Sequence, residues 1–118
     1  MPNRQDIYAD RGATFDDYIT LTNLQKDVIH LAEGDTLIMG IRPHYSETCI
    51  IERTWTIADE VNNVYPIHIT PEEMDIEPDE YKYDVGLQTA DGDFYKVISE
   101  SSFTVLSSTT KKRVSGGE

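Results

Sequence analysis

A single cysteine, Cys49, is all the chain carries. That excludes an internal disulfide and a multi-cysteine zinc site. Synthesis in a cytoplasm without oxidative folding is the simplest reading. Long apolar runs are also missing. No stretch is long enough to span a bilayer, and MPNRQDIYADRG lacks the apolar centre of a signal peptide. A soluble protein that inserts into no membrane is expected, leaving the cell only inside or on a larger assembly. Basic residues are scarce, 10 against 22 acids, for a net charge of −12. Three of the bases, Lys111, Lys112 and Arg113, sit in the final stretch. Such an anionic surface repels nucleic acid and acidic lipid, so neither is expected as a partner. The acidity itself is read as a device for solubility and against edge pairing.

What is present is β-patterning. The chain has 118 residues, the size of one domain. A chain of that size buries roughly two-thirds of its unfolded surface, enough for a core without staples. In Pro78 to Leu106, residues Tyr81, Tyr83, Val85 and Leu87 alternate with Lys82, Asp84, Gly86 and Gln88. This is the period of a half-buried strand. A hairpin follows. A two-residue loop at Asp91-Gly92 would set Val85 opposite Ile98 and Leu87 opposite Lys96. A three-residue loop, Ala90-Asp91-Gly92, sets Val85 opposite Val97 and Leu87 opposite Tyr95, and is favoured because it puts apolar residues on one face. Gly92 then supplies the left-handed backbone that a bulged turn needs. The same parity runs on to Phe103 and Val105.

Further strands are expected at Ile7-Tyr8-Ala9, Phe15 to Leu21, Asp35 to Arg42, Cys49 to Ile57 and Val64 to Thr70. Asp59 to Asn63 reads as a turn. Leu21 to Glu33 fits two patterns. Leu21, Leu24, Val28 and Leu31 have a helical spacing with Gly34 as a stop, but β-branched Val28-Ile29 favours a loop plus a short strand. Thr70-Pro71-Glu72-Glu73 is a capping box, predicting one helical turn that ends near Met74 to Ile76. The fold class is therefore all-β: an immunoglobulin-like antiparallel sandwich of seven or eight strands with one short helical turn. It is expected to occupy residues 1–106, with 107–118 as a flexible polar tail. Pro78-Asp79-Glu80-Tyr81-Lys82-Tyr83 resembles the tyrosine corner leading into strand F. Tyr81 would make the corner bond, and Tyr83 would stand where the second cysteine of a disulfide-bonded domain stands.

Candidate chemistry is thin. His30, His44 and His68 have no metal-ligand spacing. Cys49 has no neighbouring base, and reads as a small buried hydrophobe. Glu72, Glu73, Asp75, Glu77, Asp79, Glu80 and Asp84 crowd together, which keeps a calcium site in view, but the spacing is not that of an EF-hand loop. Asp91-Gly92-Asp93 is explained by the hairpin. Trp55, Tyr45, Tyr65 and Tyr95 offer an aromatic platform for a glycan, against a core role for Trp55. No catalytic, cofactor-binding or metal-ligating residue is assigned, no cofactor is expected, and the chain is not read as an enzyme.

The order of motifs resembles the small immunoglobulin-like domain at the N-terminus of phage baseplate upper proteins and related phage tail or fibre proteins. The matching elements begin with Gly12 and Thr14-Phe15, then Asp27-Val28-Ile29 and Met39-Gly40-Ile41-Arg42. Ile76 to Val85, Ala90-Asp91-Gly92 and Phe103-Thr104-Val105 complete them, so the likeness covers nearly the whole chain. It implies a virion structural or assembly protein, packed against other tail, baseplate or fibre subunits and put together in the host cytoplasm. Other virion structural proteins are the implied partners, and a homo-oligomer is left open. The alternative is a stand-alone module binding carbohydrate or a cell-surface partner.

Overall fold

The structure, a computed structural model, describes residues 5–22, 25 and 27–108. Residues 109–118, where most of the tail was expected, lie outside the described residues, as does Leu24 of the helical alternative. Seven strands follow the predicted order: β1 (Ile7–Asp10), β2 (Phe15–Ile19), β3 (Thr36–Arg42), β4 (Ile51–Trp55), β5 (Tyr65–Ile69), β6 (Asp79–Gln88) and β7 (Phe94–Leu106). They form a five-stranded sheet, β1-β7-β6-β3-β4, and a two-stranded sheet, β2-β5. β1 runs parallel to β7, and every other pairing is antiparallel. The order β7-β6-β3-β4 is the G-F-C-C′ order of a variable-type immunoglobulin sheet, and β2-β5 holds the places of B and E. The fold is an immunoglobulin-like β-sandwich.

Alternation puts Leu37, Met39 and Ile41 of β3 and Tyr81, Tyr83 and Val85 of β6 on the inner face, all buried. Ile19, Leu21, Tyr65, Ile67 and Ile69 close over them from the other layer. Phe15 meets Phe103 edge-on across the two layers, with ring centroids 5.4 Å apart. The Tyr81 hydroxyl donates to Glu77 O at 2.7 Å, so the tyrosine corner is formed. Tyr83, in the cysteine position, is buried; its hydroxyl donates to Gln5 O, and its ring lies edge-on to Phe103. Burial pushes the Tyr83 phenol up to about 12.

Several local expectations need correction. The hairpin loop is the three-residue one, with Gly92 at φ 97° and Leu87 opposite Tyr95. Val85, however, faces Ile98 and not Val97, because register shifts flank Val85. The extra residue turns Ile98 into the core. β4 starts later and ends earlier than expected. At its end the Asp59 carboxylate accepts the Thr56 N–H at 2.8 Å and starts a 3-10 turn, Ile57–Asp59, which the sequence reading missed. Beyond it, Asn62 and Asn63 both have positive φ (52° and 71°), and Val61 bridges to Val64. That is a tight type I′ reversal.

The Thr70 capping box is made, with Thr70 N–H donating to Glu73 Oε1 at 3.0 Å and Glu73 N–H to Thr70 Oγ1 at 3.2 Å. It closes a single hydrogen-bonded turn, Met74 N–H to Thr70 O, and no helix follows. Within the ambiguous segment, Thr22 bridges to Val28, so the loop-plus-strand reading holds for the described residues.

Among the described residues the two-stranded sheet has no strand beyond β5. Side chains of β4 take its place. Trp55 Nε1 donates to Pro66 O at 2.6 Å, and Arg53 Nε donates to His68 O at 3.1 Å. Pro66 has no N–H to offer on that edge. Arg53 continues to Glu73 at 2.5 Å, which fastens the capping-box turn to the same edge.

Candidate functional site

Three connections converge at one end of the sandwich: residues 20–35, residues 56–64 and the hairpin loop 89–93. They are held together by specific bonds. The Asp35 carboxylate accepts the N–H groups of Ala32 and Ala90, each at 3.1 Å, and so ties the first connection to the hairpin. Gly34 (φ 91°) sits under Ala90, where a Cβ would come within 2.8 Å of the alanine methyl. Only glycine fits that close approach.

The first and second connections meet at Tyr65. Its buried hydroxyl accepts Leu31 N–H at 2.9 Å and donates to Glu60 Oε1 at 2.9 Å. The same Glu60 oxygen lies 2.6 Å from His30 Nδ1. Hydrogen bonding from His30 holds the Glu60 carboxyl below its ordinary range, and burial raises the Tyr65 phenol. The result is a fixed loop end that displays aliphatic side chains: Val28 is 46% exposed, Ile57 38% and Val61 52%. Exposed apolar residues are ordinary on a protein surface; these three share one end of the sandwich. Periodicity could not find this site, because its residues come from irregular connections.

The residues singled out from the sequence are not gathered into a centre. Each histidine meets one carboxylate on another element: His30 with Glu60, His44 with Asp79 at 3.4 Å, and His68 with Asp16 at 2.6 Å. The acidic run is divided among structural pairs: Arg53–Glu73, Arg11–Asp75 at 2.9 Å and Lys96–Asp84 at 2.7 Å. Among the described residues no three His, Cys, Asp or Glu side chains converge on a point where a metal could sit. The aromatic platform is not assembled. Trp55 and Tyr65 are buried, whereas Tyr45 and Tyr95 are exposed at opposite ends of the large sheet.

Cys49 is half-buried over Gly40, whose missing Cβ makes room for Sγ. Burial, with Glu52 and Asp84 nearby, pushes its thiol up, away from nucleophile chemistry. Cys49 and Gly40 line a small open cavity of about 180 Å³ on the outer face of the large sheet, together with Arg42, Lys82, Asp84 and Glu100. Arg42 there pairs with Glu100, Lys82 with Glu80 and Asp84 with Lys96. No helix among the described residues is long and apolar enough to cross a membrane.

No protein-family model matches the chain, and no curated protein matches it. A solved structure from a photo-crosslinking study of multimeric cell-adhesive interactions of VGSC β subunits is similar over 87% of this chain and 92% of its own, with a TM-score of 0.45 and 13% identity.

Proposed function

We propose that the chain is a non-catalytic assembly module, a small structural subunit of a phage particle that packs against other tail, baseplate or fibre subunits. The observation that supports it is the rigid loop end. Hydrogen bonds fix three connections so that Val28, Ile57 and Val61 face solvent. A surface of that kind gains by being covered with another protein. The order of motifs along the chain directs the reading to phage tail and fibre components, and the ionisable side chains support it by serving the sandwich: they cross-link its elements in pairs. The anionic surface keeps the subunit soluble until it is incorporated.

The test is direct. Particles are purified from the phage that encodes the chain, and their proteins are identified by mass spectrometry. The protein is expected in stoichiometric amount in intact virions. Finding it in infected cells but never in particles overturns the reading.

A further inference from the structure

The outer face of the large sheet differs in charge from the rest of the described surface. Its residues stand in rows across the strands. Thr36, Gln88 and Phe94 form one row, and Thr54, Ile38, Gly86 and Lys96 the next. Glu52, Gly40 and Asp84 follow, then Arg42, Lys82 and Ser102. Glu80 and Glu100 share the face, pairing with Lys82 and Arg42, while Lys96 pairs with Asp84. Bases and acids are thus interleaved, with Glu47 at the margin of the cavity. Elsewhere the described residues hold only Arg11 and Arg53 as bases, against all the remaining acids.

The hairpin side of this face is uncharged and flat. The Phe94 ring lies over Gly86, in the space a Cβ there would take, and is 53% exposed. Ile38 stands in register with Gly86 on the neighbouring strand. Lys96 Nζ lies 5.3 Å from the Phe94 ring centre. With β3 seven residues long, and strands ~4.8 Å apart, the face measures roughly 20 Å each way.

Charge selects the occupant. A body with a net charge of −12 repels a copy of itself. In a two-fold contact the same patch meets itself, so it must be self-complementary. Either end of the sandwich would set acid against acid. The outer face of the large sheet carries both signs beside an apolar ring, and can meet its own copy.

We infer that the chain forms a two-fold dimer through the outer face of its large sheet, with Phe94 and Ile38 in the contact and Arg42, Lys82 and Lys96 set against carboxylates. The face is small for a specific interface, so the dimer is weak. The contact closes on itself, so association stops at two and leaves both loop ends free for other subunits. The inference goes beyond the assembly reading and stands apart from it, since presence in virions is measured separately.

Sedimentation velocity on the full chain tests it, from micromolar to millimolar protein. A monomer–dimer equilibrium is expected, with nothing larger. It should strengthen from about 0.01 M to 0.15 M sodium chloride, because the surplus acids outside the face repel over ~30 Å at the lower salt and ~8 Å at the higher. Thr54→Glu adds a negative charge to the face and should remove the dimer. Val61→Glu adds the same charge at the loop end and should keep it. Circular dichroism of both variants should match the wild type. Monomer at every concentration and salt, species beyond the dimer, association that weakens as salt rises, a Thr54→Glu chain that still dimerises, or a Val61→Glu chain that does not, each overturns the inference.

Discussion

Tyr81 and Glu73 hold the same corner of the molecule by different physics. The Tyr81 bond to Glu77 O, at 2.7 Å, is a neutral hydrogen bond that spans the turn before β6. Tyr81→Phe keeps the buried ring and removes only the donor. A loss of about 1 kcal/mol follows, or roughly 3–6 °C in Tm for a domain of this size. Urea and thermal unfolding of the variant check it; an unchanged midpoint would mean that the corner bond contributes nothing. Glu73 works through charge. Its carboxyl is held down to about 2, first by the Arg53 guanidinium and then by the Thr70 N–H. The folded pKa thus lies below the ordinary 4.5 of an unfolded glutamate. The stabilisation is complete above that ordinary value and is lost as pH falls from 4.5 towards 2. Glu73→Gln should be less stable than the wild type near neutrality, and the difference should shrink across that acid window. Urea midpoints measured at stepped pH decide it, and a constant difference would exclude the linkage.

At the level of elements, alternation made β3, β5, β6 and β7 legible, because a sheet with one face buried prints its period on the residues. Tyr81, Tyr83 and Val85 were placed correctly for that reason. The bulge at Val85 was not legible. It depends on which of Val97 and Ile98 packs better, and both suit a strand. The 3-10 turn at Ile57–Asp59 escaped because Thr56 and Asp59 were read as strand end and turn, although their spacing is that of a capping box. The loop end was hidden for a deeper reason: Asp35 meets Ala90, and Leu31 meets Tyr65, only once both sheets exist. The guarded edge of β5 was hidden in the same way. Trp55 was expected in the core, but its Nε1 also caps Pro66 O on an edge that lacks a strand. Trp55→Phe should cost about 1–2 kcal/mol, from the lost donor and the lost ring area together. It should also promote aggregation, since an uncapped strand edge pairs with others. Far-UV circular dichroism in urea and light scattering at a temperature below the melt measure the two effects. A stable and monodisperse variant would show that the edge needs no cap.

For the whole molecule the governing quantity is the charge imbalance, 22 acids against 10 bases. Salt acts on it in two opposing ways. It screens the attractive pairs, such as Arg11–Asp75, Arg53–Glu73 and Lys96–Asp84, which sit at or near the surface. Pairs of that kind contribute about 0–1 kcal/mol each. Salt also screens the mutual repulsion of the surplus acids, which acts over longer distances and across the whole body. Each attractive pair is in contact at less than 3 Å, within the Debye length at ordinary salt, so screening weakens it little. The surplus acids stand farther apart, and at low ionic strength their repulsion is felt over roughly 30 Å. Repulsion is therefore what salt removes first. The melting temperature at neutral pH should rise as sodium chloride is raised from about 0.01 M to 0.15 M, where the Debye length shortens from ~30 Å to ~8 Å. Differential scanning calorimetry of the full chain at dilute protein, at the two salt concentrations, measures the effect. A melting temperature that falls over the same range would mean that the ion pairs outweigh the repulsion, and that the imbalance does not govern stability.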